Sequence, residues 1–519
     1  ECNQDRGELM SRILLDTNIL ILREDISKVP SEVQRLLRIL GETRHRIVIH
    51  PLSLEEIKND RDPERREIVL SKIDSYPQLE SPPSPEDDDQ FLSLVGHPRN
   101  PRDFVDNSLL YCVYRDAVSF LITEDVEIHK KARRLRISDR VFTIAEALDY
   151  FAKEIVEEIP HPTPLRSVPV YMLDVNDPIF ESLKEEYKPH AYSTGFYDWW
   201  SKICREGRKA WVHYLGDRLG AVLILKDENE PIASNPPLPA KRRLKICTLI
   251  VTPEDRGKKI GELFIKISVQ TAIQKGLEEI YLTHFTKDND FLVNLIEEFG
   301  FEKVAVKGNG EDVFLKRLIP DRQAIDRSSQ IYRRQIYRRF YPSFYDGPQV
   351  NKFIVPIRPE WHNRLFTDYS ERRQLTLWEA AGDFIVEGNT IKKAYLCHSR
   401  IRGMQEGDIL LFYRSHDVKG LTALGVIEKA ERCTDADAII SHVGKRSVYS
   451  VSEIRDIAQK PTQVILFWWI TYFTNPIEFD WLRNNRIIRY PPRTINKIPH
   501  DKYILIKEVS GIDARYIVS

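Results

Sequence analysis

Between residues 12 and 143, short apolar runs alternate with amphipathic stretches, and this alternation restricts the first part of the chain to one kind of sheet. The runs predict strands over 12–16, 46–50, 118–122 and 140–143. Between them the periodicity predicts helices over 31–40, 53–59, 103–117 and 126–134. Strands separated by helices pair in parallel with helices on their faces, and such sheets collect ligands at the strands' carboxyl ends. Asp16, in LLDTNILI, stands where the first strand ends. A buried carboxylate without a partner costs several kcal/mol, so Asp16 needs a cation, a hydrogen-bond network or water.

Three more acids occupy comparable places. Glu56 opens a helix after RIVIH, Asp106 lies early in FVDNSLLYCVY, and Asp125 ends SFLITED. An isolated Asp at a strand's end most often caps the next helix. Four carboxylates brought to one edge instead repel unless a cation neutralises them, and an all-oxygen set suits Mg²⁺ or Mn²⁺. The segments LLDTNILI, SLEEI, DFVDN and LITED resemble the PIN-domain nucleases over about 150 residues. That resemblance implies that Asp16, Glu56, Asp106 and Asp125 are catalytic and hold the metal, with Thr17, Asn18 and Thr123 organising them. Glu55 is an alternative to Glu56, and Asp103 is a candidate to share the site; Asn107 stands where the family often has Ala. A haloacid-type phosphatase needs a second Asp two residues after the first, and Asn18 is there instead.

A second constellation is KICTLIVTPEDRGKKIGELFIKISVQTAIQKG, residues 245–276. A strand ends at Val251, a basic glycine loop follows, and an amphipathic helix begins. Free N–H groups at a helix start bind phosphate, and Gly257 and Gly261 allow a ligand close to the backbone. No Walker GK[ST] and no GxGxxG occurs. The segment resembles the GNAT acetyltransferases over 168–318, with Arg256 and Gly261 matching the signature and Lys259 in place of its middle Gly. The resemblance implies that Val251 pairs with the pantetheine arm and that Arg256, Gly257, Lys258, Lys259, Ile260 and Gly261 hold the pyrophosphate of acetyl-CoA. The family's frequent general-acid Tyr is Ile296 here, and Cys247 and Thr248 stand where a Glu base is common, so neither acid nor base is named.

From Ser328 the chain reads SSQIYRRQIYRRFYPSFYDG, arginines and aromatics at helical spacing. Arginines neutralise phosphates and rings stack on bases, so the segment suits RNA; it suits a seam between domains equally. Beyond it NKFIVPI, GDILLFYRS, LTALGVIEKAER, QVILFWWITYF and KYILIKE predict strands of a small barrel. This part resembles the PUA-like barrels, particularly the EVE and ASCH families, with Gly407, Asp408, Tyr413 and Gly425 as structural positions. Trp468 or Trp469 is a candidate for base stacking; neighbours on a strand face opposite ways, so at most one lines a pocket.

The expected fold is therefore multidomain α/β: a PIN-like parallel-sheet domain at 1–158, a GNAT α+β domain at 168–318, a basic, aromatic linker helix at 319–345 and a PUA-like β-barrel at 346–519. The 77 Lys+Arg and 78 Asp+Glu balance overall, but residues 1–160 hold 23 against 32 and residues 321–519 hold 31 against 23. An acidic front and basic back fit one module holding cations and another meeting a polyanion. The six scattered cysteines form no disulfide or zinc pattern, and no apolar run reaches a membrane span, so a soluble cytoplasmic protein is expected. The combined expectation is a metal-dependent ribonuclease joined to an acetyl-CoA module and an RNA- or modified-base-binding module, with tRNA among the RNA partners considered. A toxin-like or defence role fits the resemblance, with an antitoxin or a second copy as partner. The alternative is an N-acetyltransferase acting on an RNA- or protein-borne amine, its PIN fold a remnant that holds RNA.

Overall fold

The computed structural model describes residues 11–19, 31–42, 45–58, 76–155, 164–186, 195–215, 218–252, 259–288, 290–326, 328–369, 384–385 and 389–519. The chain divides into two compact units: residues 1–160, 289–294 and 432–464, and residues 161–288, 295–431 and 465–519.

In the first unit, β1 (Arg12–Leu15), β2 (Arg46–Val48), β3 (Phe120–Ile122) and β4 (Val141–Phe142) pair in parallel in the order β2-β1-β3-β4. All of β3 and β4 and the last three residues of β1 are buried, as strands covered on both faces should be. Three helices bring side chains to the carboxyl edge: α1 (Pro51–Lys58), α2 (Pro101–Tyr114) and α3 (Val126–Arg134). Asn100 accepts the Asp103 N–H at 2.9 Å and Pro101 follows at the first helical position, which fixes the start of α2.

In the second unit, β5 (Pro164–Pro169), β6 (Lys209–Leu215), β7 (Arg218–Glu228), β8 (Ser234–Asn235), β9 (Arg243–Val251), β10 (Glu279–His284), β11 (Glu302–Lys307) and β12 (Asp312–Arg317) form one mixed sheet. Helix α4 (Phe196–Arg205) precedes β6, and α5 (Ile260–Gln274) links β9 to β10. Phe196, Trp200 and Ile203 of α4 pack with Ala210, Val212, Val222 and Ile224 of the sheet. After helix α6 (Gln330–Phe340), β13 (Phe344–Tyr345) and β14 (Lys352–Ile357) follow, and then β15 (Phe384–Ile385), which adds to the nine-stranded sheet beside β5. The remaining strands are β16 (Lys392–Cys397), β17 (Ile409–Arg414), β18 (Gly420–Cys433), β19 (Thr462–Glu478), β20 (Asn496–Ile498) and β21 (Ile517–Val518).

Two expectations for this back end need correction. The sheet runs β16-β19-β18-β17-β14-β20, with β14 and β17 parallel, and among the described residues its edges do not pair. Closure needs edge strands in register, and one edge is the three-residue β20; among the described residues the arrangement is an open mixed sheet and no closed barrel is formed. KYILIKE is not a strand either but part of helix α7 (His500–Ser510), burying Tyr503, Ile506 and Ser510 at spacings of three and four. A short apolar run fits both periods, and here Pro499 at the cap decides for the helix.

Helix α6 is a packed seam. Arg334 pairs with Asp408, Arg338 with Glu406 and Glu428, and Arg339 with Glu302. Its Tyr337, and Tyr341 beyond it, pack on the Trp468 ring. Both Trp468 and Trp469 are buried, which removes them as exposed stacking platforms.

Candidate functional site

The carboxyl edge of the parallel sheet assembles residues from separate segments. Ile13, Leu14 and Leu15 lie opposite Phe120, Leu121 and Ile122. One residue further on, the Thr123 hydroxyl donates to Asp16 Oδ2 at 2.6 Å, while accepting the Asp125 N–H at 3.0 Å. Asp125 also caps α3, its Oδ1 accepting from Glu127 N at 2.8 Å and Ile128 N at 3.3 Å. Asp16 is buried, and burial, reinforced by the charges of Asp125 and Glu56 and opposed by the Thr123 bond, pushes its carboxyl up to about 6. Burial, with the charges of Asp125 and Asp16, pushes Asp106 up to about 7. The four acids thus lie near enough to raise the cost of ionising Asp16 and Asp106.

The two alternatives have partners of their own. Glu55 is exposed and bonded to Lys58 at 2.7 Å, whereas Glu56 acts on Asp16. Burial pushes Asp103 up, but the bonds from Lys131 and from Arg99 N outweigh it and hold its carboxyl below the usual range. Asn107 is buried and accepts from the same lysine at 2.7 Å. Three polar groups that sequence reasoning left out or placed only loosely are also buried here without a hydrogen-bond partner among the described residues: Thr17 Oγ1, Ser53 Oγ and His50 Nε2. Burial lowers His50 to about 4, and its Nδ1 accepts the Leu52 N–H at 3.1 Å, which leaves the ring proton on the unpartnered Nε2. A metal ion, however, is not supported. Among the described residues no three His, Cys, Asp or Glu side chains are arranged to hold one, so no step is routed through Mg²⁺ or Mn²⁺.

The second site lies in the nine-stranded sheet. β9 pairs with β7 from Arg243 to Val251, but with its parallel neighbour β10 only at Leu244 and Lys245. Beyond Lys245 the two strands are not paired, which leaves one side of the β9 backbone without a strand partner among the described residues. The hydroxyls of Thr248 and Thr252 are buried without a hydrogen-bond partner among the described residues. Strand alternation could have drawn attention to Thr248, Ile250 and Thr252 as one face. Arg256, Gly257 and Lys258 lie outside the described residues. Lys259 caps α5 in the left-handed conformation (φ 57°), a backbone that a non-glycine residue adopts at some cost. Ile260 is buried, Val251 is half-buried, and a Cβ on Gly261 would lie 2.6 Å from Leu295 Cδ2. Gly261 therefore makes room for a neighbouring side chain, not only for a ligand. Ile296 is fully buried, and burial raises the Cys247 thiol.

Residues 171–301 match the acetyltransferase (GNAT) family, and this part of the chain is a GNAT acetyltransferase domain. None of the curated proteins matches the chain. Similar solved structures include ASCH from Zymomonas mobilis, at 14% identity over 31% of this chain and 96% of that one, with a TM-score of 0.24. The PaiA N-acetyltransferase of Thermoplasma acidophilum in complex with coenzyme A is 15% identical over 30% of this chain and 97% of that one, with a TM-score of 0.22. The IAA acetyltransferase of Bacillus cereus is 15% identical over 29% and 95%, with a TM-score of 0.20. Among the described residues no helix is long and apolar enough to cross a membrane.

Proposed function

We propose that the chain transfers an acetyl group from acetyl-CoA to an amine at the gap between β9 and β10. The end of pairing between these two parallel strands beyond Lys245, with α5 starting directly after the connecting loop, carries this reading. The unpaired β9 backbone offers N–H and C=O groups to an extended amide-bearing arm. The first N–H groups of α5 donate to phosphate oxygens, with Arg256, Gly257 and Lys258 of the stretch before it assigned to the same phosphates. The amine nitrogen forms the new C–N bond as the thioester C–S bond breaks, and the proton lost from nitrogen ends on the thiol. Acceptors considered are amines of RNA or protein. The division we propose keeps 168–318 as this module, 1–158 before it, and 319–345 and 346–519 after it.

Isothermal titration of the full chain with acetyl-CoA tests the reading. Gly261→Glu puts a carboxylate beside the phosphate-binding N–H groups and against Leu295, and is expected to weaken binding at least about 100-fold, from charge repulsion plus lost contacts. Gly261→Ala, which displaces only the end of the Leu295 side chain, is expected to bind within about fivefold of wild type. No acetyl-CoA binding, or equal binding by Gly261→Glu, rules the site out.

A second reading is phosphodiester cleavage at the acidic edge, favoured by the gathering of Asp16, Glu56, Asp106 and Asp125 and by the unpartnered Thr17 hydroxyl. If divalent cations serve it, Mn²⁺ should raise the melting temperature at pH 8, where carboxyls with values of about 6 and about 7 are ionised, and raise it much less at pH 5. Asp16→Asn should erase the pH 8 shift. An absence of any shift at either pH would end the metal-dependent nuclease reading.

A further inference from the structure

The stretches CHSRIRGMQ (397–405) and NNRIIRYPPRTINK (484–497) carry Arg400, Arg402, Arg486, Arg489, Arg493 and Lys497 and no Asp or Glu. All six cations are exposed, and among the described residues none has an acidic partner. The contrast with α6 is informative, because there Arg334, Arg338 and Arg339 are all matched by carboxylates. The two stretches share one surface: Thr494 Oγ1 meets Ser399 Oγ at 3.2 Å, and Asn351 Nδ2 donates to Gly403 O at 3.4 Å. Asn351 directly precedes β14, along which β20 lies, so both loops are tied to the same sheet edge. Within the second stretch Tyr490 is 68% exposed, with the Arg489 guanidinium 5.3 Å from its ring centre. Pro491 and Pro492 follow it and restrict the backbone that presents it.

We propose that this surface binds a single-stranded nucleic acid, phosphates on the arginines and an unstacked base on Tyr490. Like charges gathered without counter-charges repel one another, and a polyanion relieves that repulsion while releasing its own counterions. Five of the six cations are arginines, whose planar fork matches phosphate. An anionic membrane is the less suited occupant. The neighbouring Ile488 and Ile495 are buried and Ile401 and Ile487 half-buried, which leaves Tyr490 as the exposed large hydrophobic of these loops. The site is independent of the acetyl-transfer gap, and its test reads binding, not turnover.

Fluorescence anisotropy of the full chain with labelled 12-nucleotide RNA and DNA strands decides it. Binding of either strand should fall with salt at a log–log slope of roughly −3 to −4, for four to six phosphates neutralised at about −0.7 each. Arg400→Ala with Arg402→Ala, and separately Arg489→Ala with Arg493→Ala, should each weaken binding about tenfold or more and flatten the slope by about one. Tyr490→Ala should weaken it about fivefold or more, the loss of one stacked base, with the slope unchanged. The charge-matched control Arg455→Ala with Lys460→Ala should stay within about twofold. Equal weakening by the control, or unchanged binding by both arginine pairs, overturns the proposal. So does binding of duplex, polyglutamate or phosphatidylserine vesicles as tight as that of the single strands.

Discussion

Replacing Gly300 with alanine is expected to destabilise the second unit by roughly 3–5 kcal/mol, adding left-handed backbone strain to a steric overlap. Gly300 has φ +84°, and a Cβ there would sit 2.2 Å from the backbone oxygen of Arg339 near the end of α6. A backbone atom cannot rotate out of the way as a side-chain terminus can, so the helix must shift. That oxygen also accepts from the fully buried Lys316 at 3.2 Å, and Lys316 donates to Phe299 O at 2.6 Å. Burial already lowers the lysine to about 7 against the pull of Glu302, so losing an acceptor further penalises its charged form. Gly207→Ala provides the comparison. Its φ is +63° with nothing within 4 Å, so only the backbone cost of about 1–2 kcal/mol should appear. Urea unfolding followed by tryptophan fluorescence compares the two; equal losses would refute a steric origin at Gly300.

What the sequence made legible follows from how local each signal is. Alternating runs placed the four parallel strands within a few residues, because strand and helix periods are local properties. LLDTNILI, SLEEI, DFVDN and LITED located the acids that the sheet gathers at its edge. Glu56 stands out from Glu55 in the sequence through its apolar neighbour Ile57, but the pairing of Lys58 with Glu55 and of Lys131 with Asp103 is not legible there. Helix α6 was legible as a helix of arginines and aromatics. Its role was not, since the carboxylates that consume its charge lie at Glu302, Glu406, Asp408 and Glu428, far along the chain. The same reasoning inverts for the loops at 397–405 and 484–497, which carry no Asp or Glu and whose six exposed cations have no acidic partner among the described residues. Trp468 and Trp469 looked like stacking candidates by type, but their accessibility depends on tertiary packing.

Lys266→Met is expected to cost roughly 3–5 kcal/mol, because it removes one member of a buried ion pair and leaves the other less well compensated. Lys266 lies near the middle of α5, fully buried, with Asp368 Oδ2 at 3.0 Å and Asn389 O and Oδ1 at 2.7 and 2.6 Å. Its ammonium is also 4.3 Å from the centre of the Trp469 ring. One turn earlier Glu262 accepts the N–H groups of Ile391 and Lys392, both at 2.8 Å. The helix that starts at the proposed acetyl-CoA loop is thus bolted by two charged residues to segment 389–392, at the edge of the six-stranded sheet. In Lys266→Met, Asp368 keeps the Tyr472 hydroxyl and the charge of Lys393 nearby, and loses the ammonium that bonds it at 3.0 Å. Replacing both partners, Lys266→Met with Asp368→Leu, removes the stranded charge, and the double variant should recover at least about 2 kcal/mol over the single one. Urea unfolding of the four proteins in the cycle measures this coupling. Purely additive losses would mean that the lysine's packing against Trp469, not the pairing of charges, holds α5 in place.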